Sequence, residues 1–479
     1  MKYPEVIHHG AGDGVTGSCH ELRVCADHRL LIDCGVFQGE EAALIGRLGG
    51  SASAIDFDVS LLKLLIITHV HADHIGRIPE LLASGFKGPI LCSEPSAKLL
   101  PVMLEDSLRL NPRYDSQSIE RCLKQVERRV IALPFDTWFD VIKAPEARCR
   151  VRLQRAGHVL GSAYVECDLI YTHAEAPYRV VFSGDLGSSH MPILPEPRSP
   201  ERADLLVLES TYGDRLHEDR ATRQARLEAV IDRALLDHGT VLIPAFSIGR
   251  TQELLYEIED ILHQRALSCR VEDGCDASLP VNWPQLPVIL DSPLAEQLTR
   301  IYQAFDELWD EEGAARVKEG RKPLGFRQLI TVDTHAKHLQ VVNYLASTGR
   351  PAIVIAGHGM CAGGRVVNYL KAMLGDPRHN VVFVGYQAKG TPGAAIQKYG
   401  AVGGYVELDK ERYPIKAGIE TLGGYSAHAD QHELVKFVTG MAQWPARIRL
   451  VHGESEARKK LGQVLERQYR AQSKTVNIE

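Results

Sequence analysis

The stretch Leu64-Leu65-Ile66-Ile67-Thr68-His69-Val70-His71-Ala72-Asp73-His74 governs how the rest of this chain is read. Its apolar run predicts a buried strand that ends at Thr68, ahead of a helical pattern over residues 75–82. Four potential metal ligands stand between the two. His69 and His71 are two apart and can point to one side of an extended turn. Asp73 and His74 are adjacent, so they point elsewhere and can reach a second ion. Zinc takes imidazole and carboxylate donors in a tetrahedral shell, with one position left open when it is catalytic. A His-rich surface turn is the plainer alternative, but HxHxDH directly after an apolar strand is a specific pattern.

Outward from that strand, the first two hundred residues alternate β-rich runs (30–33, 64–68, 151–154, 178–183, 205–209) with Gly-rich turns and helical patterns such as 96–108. The class is α/β. A Pro-rich stretch, 191–200, reads as an exposed connection. From about Thr222 strands and helices alternate: helix 223–236, strand 241–245, helix 251–263, a polar insert at 268–287, strand 288–290 and a helix from Pro293. Strand 352–356, a Gly-rich turn, helix 366–374 and strand 381–384 follow. This texture predicts a parallel sheet in a second α/β domain. Strand-rich texture returns at 402–408 and 448–451. The expected division is therefore a first domain over 1–210, an inserted domain over 211–392, and a segment 393–479 that completes the first.

A chain of 479 residues is too long for one small core. With a formal net charge of -6, no global basic field would draw in nucleic acid, so a phosphate ligand would have to meet a local groove and bound cations. The N-terminal residues show no secretory pattern, and the longest apolar run, around residues 61–67, is too short to span a bilayer. Ten cysteines without a CxxC pair suit reduced thiols in a cytoplasmic protein.

HxHxDH is the signature of the metallo-β-lactamase superfamily, and this chain resembles it further. His158, in Ala156-Gly157-His158-Val159-Leu160-Gly161-Ser162, looks like the third metal-binding motif. Asp185 looks like the bridging carboxylate, and Asp33 like the acid that holds a ligand histidine. Glu209-Ser210-Thr211-Tyr212-Gly213-Asp214 resembles motif A of the β-CASP group, the nucleic-acid-processing branch. Ser426-Ala427-His428-Ala429-Asp430 resembles its motif B, and Val451-His452-Gly453-Glu454 its motif C. The stretches from Ile243 to Arg250, Asp291-Ser292-Pro293, and Gly359 to Arg365 resemble the inserted β-CASP domain, closest to the polyadenylation-factor endonuclease branch. Two departures stand out. His358 occupies a position where relatives carry Ser, and Thr391-Pro392-Gly393-Ala394 lacks an Arg that relatives often have.

The resemblance implies a metallo-β-lactamase αββα sandwich with an inserted β-CASP α/β domain. It implies two zinc ions per chain, one held by His69, His71 and His158, the other by Asp73, His74 and His452, with Asp185 shared. The implied activity is hydrolysis of single-stranded RNA, with Asp73 in the catalytic set, His428 as general acid and Glu209 orienting it. Arg250, Ser292, His358, Gly359, Arg365 and Lys389 are the expected substrate contacts, along a path between the domains. His335 and His338 read as polar lining rather than ligands. The residues do not choose between endonuclease and 5′ exonuclease action, between RNA and DNA, or between monomer and homodimer. Two other readings stay open: a hydrolase of small esters or thioesters, and a non-catalytic RNA-binding homologue.

Overall fold

The computed structural model describes residues 3–189, 191–217, 222–271 and 283–479. They form two compact units, the first from residues 1–189, 195–216 and 427–479, the second from 190–194 and 217–426.

The first unit is built on two sheets. One runs in the order Glu5–Gly10, Cys19–Cys25, His28–Ile32, Leu62–Ile66, Ile90–Ser93, Val130–Leu133. The other runs Asn477–Ile478, Arg447–Val451, Leu205–Glu209, Tyr178–Phe182, Ala163–Tyr171, Ala147–Arg155, Phe139–Lys143. The alternation of strand side chains explains the layers. Leu205 and Val207 face a core shared with Leu64, Ile66 and Leu91 of the first sheet. Leu206 and Leu208 face the other way, into a cluster with Leu434 and Phe437 of helix Gln431–Thr439 and Leu461 and Leu465 of helix Ser455–Ala471. On the first sheet, helix Glu94–Arg109 packs against Ile90–Ser93 and Val130–Leu133. Leu205–Glu209 reads LLVLE because it is buried on both faces. The C-terminal strand Arg447–Val451 lies between Leu205–Glu209 and Asn477–Ile478, so it is an interior strand of this sheet.

The second unit holds a six-stranded all-parallel sheet in the order Leu329–Thr331, Val288–Asp291, Ala352–Ala356, Thr240–Pro244, Asn380–Phe383, Gly418–Thr421. Helices Arg223–Leu236, Arg250–Val271 and Val366–Met373 alternate with these strands.

Two expectations need correction. The return to the first unit comes at 427, not 393. Gly418–Thr421 pairs in parallel with Asn380–Phe383, and Tyr405–Leu408 forms a hairpin with Glu411–Pro414 whose Val406 and Leu408 enter the second unit's core. Nor is the Pro-rich stretch simply an exposed connection. Met191, Ile193 and Leu194 are buried, and the Ile193 carbonyl accepts from the Asp310 N–H at 2.8 Å. Apolar side chains outweigh the neighbouring prolines there. Part of the expected polar insert, 272–282, lies outside the described residues.

Candidate metal centre

Seven polar residues converge where parallel strands of the first unit end, the edge at which open α/β sheets place ligands. Strand Leu62–Ile66 delivers His69, His71, Asp73 and His74. Tyr178–Phe182 delivers Asp185, and Arg447–Val451 delivers His452. His158 follows Ala147–Arg155 across Gly157, whose φ of +73° suits glycine. The turn before Asp185 also requires glycine. Gly184 has φ +52°, and a Cβ there would come within 2.8 Å of Thr68 Cβ.

These side chains fall into two sets around one carboxylate. His71 Nδ1 lies 3.0 Å from His69 Nε2 and 3.1 Å from His158 Nε2. Asp185 Oδ2 faces that set, 3.5 Å from His69 Nε2 and 3.7 Å from His158 Nε2. Asp185 Oδ1 faces the other set, 3.3 Å from both His74 Nε2 and His452 Nε2. Asp73 Oδ2 is 4.0 Å from the same two nitrogens. Asp185 therefore stands between two three-residue sets, one oxygen to each.

These residues fit divalent cations. His74 Nε2 and Asp185 Oδ1 are buried without a hydrogen-bond partner, a costly state unless something fills the space they share. Burial pushes His71 down to about 4 and holds His69 and His158 well below the usual imidazole value, so all three present neutral nitrogens. Burial also lowers His74, but Asp185 and then Asp33 overcome it and hold the ring well above its usual value. His452 is raised by Asp185 against the same penalty. Asp185 itself is penalised by burial, yet His452, His74 and His69 keep it ionised. Without a cation, protons on His74 and His452 balance the buried carboxylate; a cation can take their place.

Asp33 fixes the orientation of His74. Its Oδ2 is 2.7 Å from His74 Nδ1, which turns Nε2 toward Asp185. Thr68, which sequence reasoning treated as a strand end, braces Asp33 twice. Its N–H donates to Oδ1 at 2.8 Å and its hydroxyl to Oδ2 at 2.8 Å. Asp33 and His452 both hold positive φ, 60° and 52°, an uncommon backbone state for residues other than glycine. His20 was also missed. It is buried beside Ser18, whose hydroxyl lies 3.3 Å from His20 Nε2 and 3.5 Å from Asp33 Oδ2. No local spacing marks either residue, since each matters through a partner on another strand.

His428 and Glu209 stand beside the shared carboxylate. His428 Nδ1 is 3.3 Å from Glu209 Oε1 and 3.9 Å from Asp185 Oδ2. Backbone pairing fixes the position: Gly187 bridges to His428, and the Ala429 N–H donates to the Leu186 carbonyl at 2.8 Å. Glu209 accepts from the N–H groups of Leu186 at 2.7 Å and Thr211 at 3.3 Å. Burial lowers the His428 pKa, but Glu209, then Asp185 and Asp73, bring it up to about 9. The neighbouring helix is capped by Asp430 and Glu433, so capping does not account for His428.

The expected substrate contacts all belong to the second unit, at the carboxyl ends of its strands. Ser292 caps helix Pro293–Ala304, accepting from the Ala295 N–H at 3.2 Å, and its hydroxyl lies 3.3 Å from that of Ser247. A Cβ on Gly359 would press against the Phe246 ring at 3.0 Å. His358 and Lys389 are exposed, and Arg250 is paired with Glu253. Arg365 donates to Asp291 Oδ1 at 2.7 Å and to the Val332 carbonyl at 2.6 Å, so its guanidinium holds strand ends together. Asp291 also accepts from His338 at 2.7 Å, so His338 belongs to this scaffold rather than to a lining.

A two-sheet sandwich whose strand ends present HxHxDH, His158, Asp185 and His452 defines a metal-dependent hydrolase of metallo-β-lactamase fold. Family models agree along the chain: Metallo-beta-lactamase superfamily over residues 13–243, Beta-Casp domain over 251–396, and Zn-dependent metallo-hydrolase RNA specificity domain over 412–478. The chain is 34% identical to Ribonuclease TTHA0252 of Thermus thermophilus, across 96% of this chain and 95% of that one. It is 29% identical to Transcription termination factor FttA of Methanocaldococcus jannaschii over 89% of its own length, and spans 63% of that relative. The FttA of Methanothermobacter thermautotrophicus is 30% identical over 96% of this chain and 69% of the relative. The chain belongs to the β-CASP family of metallo-β-lactamase-fold ribonucleases.

Proposed function

We propose that this protein hydrolyses phosphodiester bonds of single-stranded RNA, using two zinc ions held by His69, His71 and His158 and by Asp73, His74 and His452, with Asp185 shared. The observation that carries the reading is the placement of His428 and Glu209 beside Asp185, because a small-ester hydrolase has no need of a proton donor there. Two bound divalent cations would supply an activated water at neutral pH and neutralise the phosphate's charge.

The chain's own residues do the rest. Asp33 fixes the tautomer of His74, and Thr68 fixes Asp33. Glu209 holds the His428 ring through Nδ1, so Nε2 carries the proton given to the departing ribose oxygen. A raised pKa suits an acid that must be protonated near neutral pH, and nearby cations would draw it back toward that range. Loops carrying Arg250, Ser292, His358, Gly359 and Lys389 bind the strand's phosphates, and Arg365 braces one of those loops. Ligands that are neutral imidazoles favour zinc over magnesium. The working compartment is the cytoplasm; among the described residues no helix is long and apolar enough to cross a membrane.

The test is incubation of zinc-loaded protein with 5′-end-labelled single-stranded RNA and DNA, resolved on a sequencing gel. Labelled RNA fragments of intermediate length, or release of the label as a single 5′ mononucleotide, support the reading and separate endonuclease from 5′ exonuclease action. Intact RNA alongside hydrolysis of a thioester would favour the small-molecule hydrolase instead.

A further inference from the structure

A third group of metal-ligating side chains lies in the first unit, away from the residues described above. Cys25 and His28 flank the two-residue turn Ala26-Asp27 and are direct cross-strand partners. Opposed residues of a hairpin project to the same face, and here Cys25 Sγ lies 3.3 Å from His28 Nδ1. Glu146 comes from the other sheet, at the turn joining Phe139–Lys143 to Ala147–Arg155. The Tyr171 hydroxyl donates to the Val24 carbonyl at 3.0 Å, tying the two sheets at this end. One ligand atom from each of Cys25, His28 and Glu146 lies within 4.8 Å of the others. The strand beginning at His28 leads to Asp33, so the trio sits roughly 15 Å from the catalytic clusters.

We propose that Cys25, His28 and Glu146 form a separate zinc site that clips one hairpin of each sheet together. The donor set decides the ion. A thiolate with an imidazole and one carboxylate suits zinc, whereas calcium and magnesium take oxygen ligands. Cys25 is 4% exposed while His28 and Glu146 are more open, so an ion can enter from solvent and bind a sulfur already in place. A water completes the tetrahedron. Binding deprotonates the thiol and releases that proton to solvent. Nothing in this site depends on the catalytic reading.

Cobalt(II) separates the two, because the catalytic sets contain no sulfur. Metal-free full-length protein titrated with cobalt(II) should develop a thiolate-to-cobalt charge-transfer band in the near ultraviolet. Cys25→Ser should abolish that band and keep the visible bands of cobalt at the histidine clusters. His28→Ala, at the more open end, should weaken the band's cobalt affinity at least about tenfold, and it decides the matter if Cys25→Ser does not fold. No charge-transfer band in the unaltered protein, a band that survives Cys25→Ser, or unchanged affinity in His28→Ala would overturn the proposal.

Discussion

The two units both gather charged side chains at the ends of parallel strands, but they treat them in opposite ways. In the second unit Asp291 is fully buried and fully answered. His338 donates to it at 2.7 Å, the Tyr369 hydroxyl at 2.6 Å and Arg365 at 2.7 Å, while Asn368 lies 2.9 Å from the other nitrogen of His338. In the first unit Asp185 is also buried, yet its Oδ1 and the facing His74 Nε2, 3.3 Å apart, form no well-aligned hydrogen bond. A satisfied buried network holds a shape; an unsatisfied one invites a cation. Similar residue types thus make a scaffold in one place and a candidate metal centre in the other.

The largest effect that would break this contrast is at Asp185. Asp185→Ala should empty both clusters together and take RNA cleavage below detection, whereas His452→Ala should chiefly weaken one. Metal analysis of the purified variants reads this directly, and full zinc retention in Asp185→Ala would end the idea of a shared ligand.

The next effect separates binding from proton donation. His428→Ala should keep zinc and RNA binding but slow cleavage of natural RNA by on the order of 10²–10⁴, the usual scale of general acid catalysis. Bis-p-nitrophenyl phosphate has a good leaving group and should be affected much less. Equal loss on both substrates would make His428 a structural residue.

On the scaffold side, Asp291→Ala leaves buried polar groups without their partner and should destabilise the second unit by about 3–5 kcal/mol in denaturant unfolding. Zinc content should not change. If zinc is lost while stability holds, the roles assigned to the two networks are reversed. A smaller effect is expected at Asp33. Asp33→Ala removes the carboxylate behind His74 and should lower affinity at that cluster about 10–100-fold, without emptying the His69–His71–His158 set.

Much of the candidate metal centre is legible in the sequence because its residues sit just past apolar strands. HxHxDH after Leu64–Ile67 carries its geometry locally, and His158, Asp185 and His452 follow strands whose patterns are clear. What sequence reasoning loses is any feature that exists through a distant partner. Thr68 braces Asp33, and Cys25 and His28 meet Glu146, across separate strands. The role of Arg365 was missed for the same reason, since a basic residue in a Gly-rich turn gives no sign that Asp291 holds it. The misplaced boundary has another cause. Residues 402–408 have the strand texture of the first unit, but pairing with Glu411–Pro414 keeps Tyr405–Leu408 in the second.

The most direct test of the central claim is the zinc content of gently purified protein in a Cys25→Ser background, which leaves only the histidine clusters to count. About two zinc ions per chain are expected, falling toward none when Asp185→Ala is added. A protein that cleaves RNA with magnesium and holds no tightly bound zinc would contradict it.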